Sequence, residues 1–580
     1  MGATFSAFRP KLFAVLAFSL LLAFAPPARA QTNNILLMIA DDLGTDSLDL
    51  FNSTNTGAHF PPTPNLDNLA KKGVLFTHFY AHPSCSPTRA CVFTGRYSFR
   101  TGVGSAITST NSTPALRASE YTLAKAFRTN APNYGVASVG KWHLGDVNDT
   151  NSPFTIGGWT NFSGYMGENP FSYTNWTKVT NGATFSTSVT NYATSDQVND
   201  AISFIQSRGT NPWFVWLAFT APHEPLHKAP ANLAPDYASL SGTSTDMSNS
   251  PRPYWESMVQ ALDTEIGRLM THVPTNTDII FLGDNGTVLT YQQPPFKNTN
   301  YQATTAGPYG HAKFTLYEGG VRVPMFITGP DVVNGGRTND SLINEVDLFQ
   351  TIQELAGINF AATLPTNVIV DCRSLMPALK TDVVLPGGFL FDEHFNNHLI
   401  SDGLALRNSR FKLLHFYSHV EELYDLASDP YEYTNLFSST LTVTALSNLY
   451  SLKINLAPYQ TLPNTGNTRN SLPAPAVPNV AYSNQTFTLN EQFTQLSTNG
   501  FFPNANQPGL TRLAQGGTNL NYQLIFWRAP DVLNPLAWTP VATNLVTGIT
   551  NNVLLTTNVV MKDTSASASD YFYQVTPYIP

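Results

Sequence analysis

Short, continuous apolar runs separated by helix-like segments constrain the fold of the first two-thirds of this chain. The runs cover 35–40, 135–139, 213–219, 279–282 and 324–328. Continuous rather than alternating apolarity is typical of strands that are covered on both faces. Apolar residues at helical spacing predict helices between these strands. The predicted helices cover 195–205, 254–270 and 342–355. The alternation predicts an α/β fold, with a mixed, largely parallel sheet sandwiched by helices.

Carboxylates follow two of the predicted strands directly. Asp41 and Asp42 come after the first strand, and Asp284 and Asn285 follow the strand at 279–282. Ligands of such folds collect beyond the carboxyl ends of the strands, where adjacent carboxylates repel unless a cation neutralises them. The alternatives are a solvated turn or helix N-cap for the first pair and a simple turn for the second. Oxygen donors of this kind suit Ca²⁺, and no Cys/His spacing indicates zinc.

A cysteine lies in an unusual setting at Cys85. The run is Cys85-Ser86-Pro87-Thr88-Arg89, and Thr-Gly-Arg follows at 94–96. In an exported protein a cysteine usually ends in a disulfide, but three cysteines cannot form a disulfide framework. On its residues alone, Cys85 would be a cysteine near a helix N-terminus with a lowered pKa.

Three further motifs carry basic side chains near predicted strand ends. Lys141 and His143 lie in Lys-Trp-His-Leu-Gly after the strand at 135–139. His223 follows the strand at 213–219, and Lys313 precedes a Glu-Gly-Gly-x-Arg-Val-Pro segment at 318–324. For an isolated Lys-x-His motif, the alternative is a surface position without a function.

Together these motifs, in this order, resemble the formylglycine-dependent, arylsulfatase-like sulfatase family of the alkaline phosphatase superfamily. The resemblance covers 33–436, and it implies that a maturation enzyme oxidises Cys85 to Cα-formylglycine, an aldehyde that acts as the nucleophile once hydrated. It also implies one Ca²⁺ bound by the oxygen of residue 85 and by four further side chains. These four are Asp41, Asp42, Asp284 and Asn285.

The resemblance assigns roles to the basic residues as well. Arg89 would hold the hydrated aldehyde, while Lys141, His223 and Lys313 would bind the sulfate group. His143 would be the base that breaks down the covalent intermediate, and His223 with Lys313 would assist departure of the alcohol. Glu318 and Arg322 are predicted to form a structural pair, and Glu224 and His227 either contact substrate or line the loop. His82 and Cys91 depart from the family pattern around the signature.

The implied function is an exported sulfatase that hydrolyses sulfate monoesters on sulfated polysaccharides or oligosaccharides. One alternative is a phosphoester or phosphonate hydrolase of the same superfamily. The other is a catalytically dead sulfatase fold that binds glycan.

Composition along the chain predicts how it is divided into domains. Residues 1–30 have the basic, apolar and small-residue regions of a signal peptide, which predicts a periplasmic or secreted protein. The catalytic domain is predicted over 31–387 and a subdomain of short antiparallel strands over 388–455. A Pro/Asn-rich linker follows at 456–482 and an accessory β-sandwich at 483–580.

Charge and hydropathy exclude two kinds of partner. Without its first thirty residues the chain has 28 basic and 39 acidic residues, a balance of −11. Nucleic acid is therefore not an expected partner. No later segment is apolar over a long enough stretch to span a membrane. The expected partners are a sulfated carbohydrate substrate and the formylglycine-generating enzyme.

Overall fold

The fold is described from a computed structural model. It describes residues 33–460 and six strands between 480 and 578. Short segments within the first range are left out, at 53–56, 109–112, 169, 171, 183–185, 299–304, 306, 396–400 and 419. The predicted signal peptide, 1–30, lies outside the described residues. Among the residues that are described, no helix combines the length and apolarity needed to cross a bilayer.

A ten-stranded mixed sheet forms the centre of the molecule, as predicted. Its strands are β1 (Asn34–Ala40), β2 (Val74–Tyr80), β3 (Gly135–Lys141), β4 (Asn161–Tyr165), β5 (Trp176–Thr180), β6 (Ser186–Val189), β7 (Trp213–Ala218), β8 (Thr277–Gly283), β9 (Met325–Thr328) and β10 (Arg337–Asn344). Their spatial order is β10-β2-β9-β8-β1-β7-β3-β4-β5-β6. All five strands predicted from apolar runs are present.

The four central strands, β8, β1, β7 and β3, are parallel neighbours. In register, Leu37 of β1 lies beside Trp216 of β7 and Ile280 of β8. Strand β9 is antiparallel to both β8 and β2, so β2 points in the same direction as the central strands. The carboxyl ends of β1, β2, β3, β7 and β8 therefore meet at one edge of the sheet.

Helices cover both faces of this sheet. They are α1 (Pro64–Ala70), α2 (Cys85–Thr94), α3 (Ser98–Thr101), α4 (Leu123–Asn130), α5 (Ser152–Thr155), α6 (Ala193–Arg208), α7 (Ser244–Asn249), α8 (Pro251–Met270), α9 (Glu318–Val321), α10 (Asp347–Leu355), α11 (Phe360–Thr363), α12 (Met376–Lys380) and α13 (Val443–Gln460). Alternate side chains of β1 pack into the hydrophobic cores on opposite faces of the sheet. Ile35 and Ile39 pack with the face that carries α2, α4 and α10, whereas Leu36 and Met38 pack with α1, α6 and α8. Two-sided burial explains the continuous apolar runs.

The predicted helix at 342–355 is wrong in its first part. Residues up to Asn344 belong to β10, where Leu342 and Ile343 pair in parallel with His78 and Phe79 of β2. The helix begins only at Asp347. Apolar residues follow helical spacing from the end of β10 into the helix. This spacing therefore does not show where the strand ends and the helix begins.

A second, antiparallel sheet follows, as predicted for this region. It contains β11 (Leu390–His394), β12 (Gly403–Arg407), β13 (Phe411–Phe416) and β14 (Glu421–Asp425), in that order. The helix α13 packs on it through Ala445, Leu449, Leu452 and Leu456. Because α13 continues to Gln460, the first residues of the predicted linker are helical.

The C-terminal region is antiparallel β structure. One three-stranded sheet has the order β15-β16-β19, from Val480–Ser483, Thr486–Phe493 and Leu555–Lys562. The other has the order β18-β17-β20, from Thr539–Ile549, Leu520–Ala529 and Phe572–Tyr578.

Candidate active site

The polar residues predicted from the motifs converge on the carboxyl edge of the central sheet. Asp41 and Asp42 follow β1, Asp284 and Asn285 follow β8, and Lys141 is the last residue of β3. His223 follows β7, and Cys85 begins α2 beyond the end of β2. All of these side chains, and those of Arg89, His143 and Lys313, are buried. The topology of the sheet therefore assembles the site from segments that are far apart in sequence.

The Asp41 carboxylate is held by two cations. Its Oδ2 lies 2.5 Å from Lys141 Nζ and 3.3 Å from an Arg89 guanidinium nitrogen. Burial works to raise the pKa of Asp41, but Lys141, His223 and Arg89 together hold it well below its usual value. These cations thus favour the charged form of Asp41.

Arg89 connects Asp41 to Asp284. It donates to Asp284 Oδ2 at 2.7 Å and to the Lys141 carbonyl at 3.1 Å. Burial and the neighbouring charge of Asp41 raise the pKa of Asp284 to about 6, despite the opposing effect of Arg89. A buried arginine with these partners orients two carboxylates and a strand end at once.

The second carboxylate of the pair, Asp42, has a separate set of partners. Lys313 Nζ lies 2.6 Å from Oδ1, and Asn285 Nδ2 donates to the same oxygen at 2.8 Å. His223 Nε2 is 3.7 Å from Oδ2 and 3.2 Å from Lys313 Nζ. His223 Nδ1 donates to the Glu224 carbonyl at 3.1 Å, so Nε2 carries the lone pair that accepts from Lys313.

Cys85 lies at the first turn of α2, close to the carboxylates. Its Sγ is 3.4 Å from Asp41 Oδ1. Burial and the charge of Asp41 raise the pKa of the thiol well above its usual value. The lowered pKa expected for a cysteine at a helix N-terminus is therefore wrong, because burial, together with Asp41, raises it. The unmodified thiol is a poor nucleophile in this position.

His143 has one ring nitrogen available for a proton. Its Nε2 lies 3.0 Å from the Ile107 carbonyl, which can only accept, so Nε2 carries the hydrogen. Nδ1 is buried and has no hydrogen-bond partner among the described residues. Burial, with Lys141 and Arg89 nearby, holds the pKa of His143 well below its usual value, so the imidazole is neutral.

Ser86 orients this histidine, a role that the motif analysis missed. Its hydroxyl donates to the His143 carbonyl at 2.8 Å and accepts from the Ile107 N–H at 3.0 Å. Ser86 thus joins the His143 backbone to Ile107, whose carbonyl fixes the tautomer of the His143 ring. Its position next to Cys85 is the only sequence signal for this role.

The residues at this edge fit a hard divalent cation. One ligand atom from each of Asp41, Asp42, Cys85 and His223 lies within 4.8 Å of the others. Asn285 Oδ1 is buried without a hydrogen-bond partner in the described part of the chain. A cation would satisfy this oxygen and offset the two adjacent carboxylates. Of the predicted ligands, Asp41, Asp42 and residue 85 belong to this group; Asn285 donates to Asp42, and Asp284 accepts from Arg89 and from the Asp42 N–H.

Residues around the site have partners within the protein. Glu224 accepts from Tyr291 at 2.8 Å, and His227 Nε2 lies 3.0 Å from the Tyr192 hydroxyl, so both are held by the protein. The predicted pair of Glu318 and Arg322 makes no ion pair among the described residues. Glu318 is instead 3.0 Å from Lys412, and Arg322 donates to the Thr77 carbonyl at 3.0 Å. The second sheet supplies the partner that the sequence could not indicate.

Comparisons with known proteins agree with this geometry. The family model described as Sulfatase matches residues 33–358, and the model described as N-sulphoglucosamine sulphohydrolase, C-terminal, matches 308–455. The chain belongs to the sulfatase family. The two matches together cover the main sheet, the candidate active site and the second sheet.

Individual sulfatases resemble this one over much of its length. It is 30% identical to human N-acetylgalactosamine-6-sulfatase over 383 residues, which are 60% of this chain and 66% of the relative. It is 24% identical to an N-acetylglucosamine-6-O-sulfatase of Bacteroides thetaiotaomicron, over 72% of this chain and 85% of the relative. The crystal structure of Ps i-CgsB has a TM-score of 0.60 at 23% identity, over 76% of this chain and 94% of that one. This last likeness supports the fold.

Proposed function

We propose that this sulfatase hydrolyses sulfate monoesters of sulfated saccharides, with a formylglycine made from Cys85 as nucleophile and one Ca²⁺ as cofactor. One observation carries the proposal. Two buried lysines, Lys141 and Lys313, each ion-pair with one of the adjacent carboxylates Asp41 and Asp42, around the first turn of α2. Buried cations beside a nucleophile position are suited to an anionic group such as a sulfate ester.

Asp41, Asp42, Asp284, Asn285 and the oxygen of residue 85 would hold the calcium ion. When bound, the ion polarises sulfate oxygens and lowers the pKa of a coordinated hydroxyl. Hydrogen bonds within the protein hold these ligands in position. Arg89 fixes Asp41 relative to Asp284, and Asn285 donates to Asp42 and keeps its own oxygen unpaired.

The lysines and histidines would have different roles in catalysis. Lys141 and Lys313 would stabilise the sulfuryl oxygens by charge. His223, whose Nε2 lies 3.2 Å from Lys313 Nζ, would pass a proton from this pair to the departing alcohol. His143 would take a proton on Nδ1, because its Nε2 hydrogen is committed to the Ile107 carbonyl.

The hydrated aldehyde explains why the unmodified thiol is not the nucleophile. The pKa of the Cys85 thiol is raised by burial and by Asp41, so the thiolate is disfavoured. A geminal diol at residue 85 offers one hydroxyl for attack on sulfur and a second whose deprotonation expels sulfate and restores the aldehyde.

The relatives suggest the substrates to test first. Their names specify 6-sulfates of N-acetylgalactosamine and N-acetylglucosamine. We propose a sulfated saccharide of this class as substrate. We also propose that residues 1–30 direct export, that 31–387 form the catalytic domain with 388–455 as its subdomain, and that 483–580 form an accessory β-sandwich after a linker.

The test combines mass spectrometry with a substrate screen. The protein should be produced with a formylglycine-generating enzyme, and the peptide that contains residue 85 should show loss of the thiol and gain of an aldehyde. Released sulfate should be measured on defined sulfated mono- and oligosaccharides. We expect turnover in the wild type and in Cys372→Ser, and none in Cys85→Ala.

The same assay separates the alternatives. Sulfate and phosphate esters of one chromogenic alcohol should be compared, and a preference for phosphate would indicate a phosphohydrolase. Saccharide binding without turnover by a chain that carries the aldehyde would indicate a glycan-binding protein. Full activity in a chain that carries only cysteine at position 85 would overturn the proposed mechanism.

A further inference from the structure

A second group of metal-binding residue types lies behind the active site. His82 follows β2, Cys91 is on α2, Glu345 lies between β10 and α10, and Asp392 is on β11. None of these four residues is more than 1% exposed. His82 and Cys91 are also the residues that depart from the family pattern around the signature. The group is separate from every residue assigned to sulfate hydrolysis.

The four side chains point at one another. His82 Nδ1 contacts a Glu345 carboxylate oxygen, lies 3.7 Å from Asp392 Oδ1 and lies 3.9 Å from Cys91 Sγ. The ligand atoms of His82, Cys91 and Glu345 lie within 4.8 Å of one another. Zinc bonds of about 2.0–2.3 Å at tetrahedral angles place ligand atoms about 3.3–3.8 Å apart. The separations of the His82 nitrogen from the Cys91 sulfur and from the Asp392 oxygen are therefore close to the spacing that one ion requires, whereas the Glu345 oxygen is hydrogen-bonded to His82 and lies closer to it than two ligands of one ion do.

His82 is the basic partner of both carboxylates of the cluster, and Lys412 acts on Asp392 from a greater distance. Within the described residues, neither Glu345 nor Asp392 forms an ion pair with a lysine or arginine, and His82 is the partner of both. Glu345 Oε2 and Asp392 Oδ2 are buried and have no hydrogen-bond partner there. Burying carboxylates without a cation is costly, and so is leaving their oxygens unpaired.

A divalent cation bound between these side chains would offset the buried charge of both carboxylates.

We propose that His82, Cys91, Glu345 and Asp392 form a structural zinc site. The ligand types favour Zn²⁺ over Ca²⁺, since thiolate and imidazole are ligands that zinc prefers and calcium does not. Four protein ligands leave no position open for substrate, which is the pattern of a structural site. Sequence spacing gave no sign of it because the ligands are spread over more than three hundred positions.

The ion would join the helix that carries Cys85 to both sheets. Cys91 lies on that helix, and the His82 carbonyl accepts from Thr88 in its first half at 3.2 Å. Glu345 anchors the start of α10 and Asp392 belongs to the second sheet. A zinc ion here would hold α2 in place, and it would be bound during folding because the site has no exposed ligand.

The test measures zinc and cobalt in the full chain. A Cys85→Ala background removes the thiol of the active site, so that Cys91 and Cys372 are the remaining cysteines. The chain should be produced with zinc or with cobalt and dialysed against metal-free buffer. We expect one zinc per chain, and in the cobalt form an intense thiolate-to-cobalt charge-transfer absorption.

Matched variants locate the ion. Cys91→Ser should abolish the charge-transfer absorption, and Glu345→Gln should lower the retained zinc, whereas Cys372→Ser should change neither. Asp284→Ala should also keep the zinc, because it affects only the calcium site. Cooperative thermal unfolding should be checked for each variant.

The outcomes are distinct. A cobalt form of the Cys85→Ala chain without thiolate absorption, or with an absorption that Cys91→Ser leaves in place, would overturn the proposal. The absence of retained zinc in a folded wild type would overturn it as well and would indicate a protonated hydrogen-bond cluster. If Cys91→Ser fails to fold, the Cys85→Ala, Cys372→Ser double variant replaces it, because Cys91 is its single thiol. A thiolate-to-cobalt absorption in this variant would support the site, and its absence would overturn the proposal.

Discussion

Two residues of the site hold a backbone conformation that side chains normally avoid. Asp42 has φ 66° and His143 has φ 51°. Such conformations cost on the order of 1–3 kcal/mol and persist where surrounding contacts fix them. Here the Asp42 N–H donates to Asp284 Oδ1 at 3.1 Å, and the His143 N–H donates to the Met166 carbonyl at 3.2 Å. This backbone conformation directs both side chains into the site.

His143 is expected to act in the second half of the reaction. Replacing it by alanine removes the free Nδ1 acceptor, and we expect kcat to fall about 10²–10⁴-fold, the usual contribution of a positioned base. KM should change less, because the sulfate contacts of the lysines remain. Intact-protein mass spectrometry after mixing with substrate should show a trapped sulfated enzyme.

The exposed His272→Ala variant is the control and should retain wild-type kinetics. If His143→Ala lowers kcat without any trapped adduct, the histidine acts before the covalent step and the assignment changes.

Asp278 makes stability depend on pH far from the active site. Burial is the main cause that raises its pKa to about 7, and the neighbouring Asp331 adds to it. Between the unfolded pKa of about 4 and the folded value, the unfolded chain loses this proton while the folded chain keeps it. Stability from this group is therefore complete below pH 4 and is lost as pH rises to 7.

Asp278→Asn should flatten this dependence. The amide resembles the protonated acid, and its oxygen can still accept from the Asp331 N–H, which now lies 3.0 Å from Oδ1. We expect the melting temperature of the variant, relative to wild type, to rise between pH 4 and pH 7. The exposed Asp382→Asn should give a constant difference, and equal pH profiles for Asp278→Asn and wild type would contradict the argument.

At the scale of elements, the sequence predicts buried strands best. β1, β7 and β8 each contain a continuous apolar run because helices cover both faces, and this pattern is visible without a structure. The outer strands β4–β6 are short and contain many polar residues, so no apolar run indicated them. The motifs predicted residues that the fold brings together at one edge of the sheet, but the partners of Lys313 and Glu318 lie on segments remote in the sequence.

The helix α13 stabilises the second sheet through one apolar face. Leu452 is fully buried against the sheet, together with Leu449 and Leu456. Leu452→Ala should lower the free energy of unfolding by about 2–5 kcal/mol, as for other buried leucines. The shift in denaturant midpoint should be compared with Val443→Ala, at the exposed start of the helix, which should have little effect. Equal midpoints for the two variants would mean that α13 contributes little to folding.

At the scale of the whole molecule, topology explains why so few residues suffice for a site. Five strand ends point to one edge, so that short segments after β1, β3, β7 and β8 and the helix after β2 meet there. The second sheet reaches this region through Lys412 of β13, which lies 3.0 Å from Glu318 at the start of α9. A chain ending at 387 would lose this contact.

The C-terminal strands contain none of the residues assigned to catalysis, which leads to the last prediction. A chain truncated after Pro475 keeps α13 and the whole site, so its activity on a small sulfated substrate should stay within a few-fold of the full chain. If the tail binds glycan, activity on a sulfated polymer should fall selectively, whereas a spacer would leave both activities unchanged. A control truncated after Leu441 also lacks α13 and should be insoluble or inactive, because Leu413 and Leu423 of the second sheet would lose their cover. Inactivity of the longer truncation would show instead that the tail takes part in the fold or the pocket of the catalytic unit.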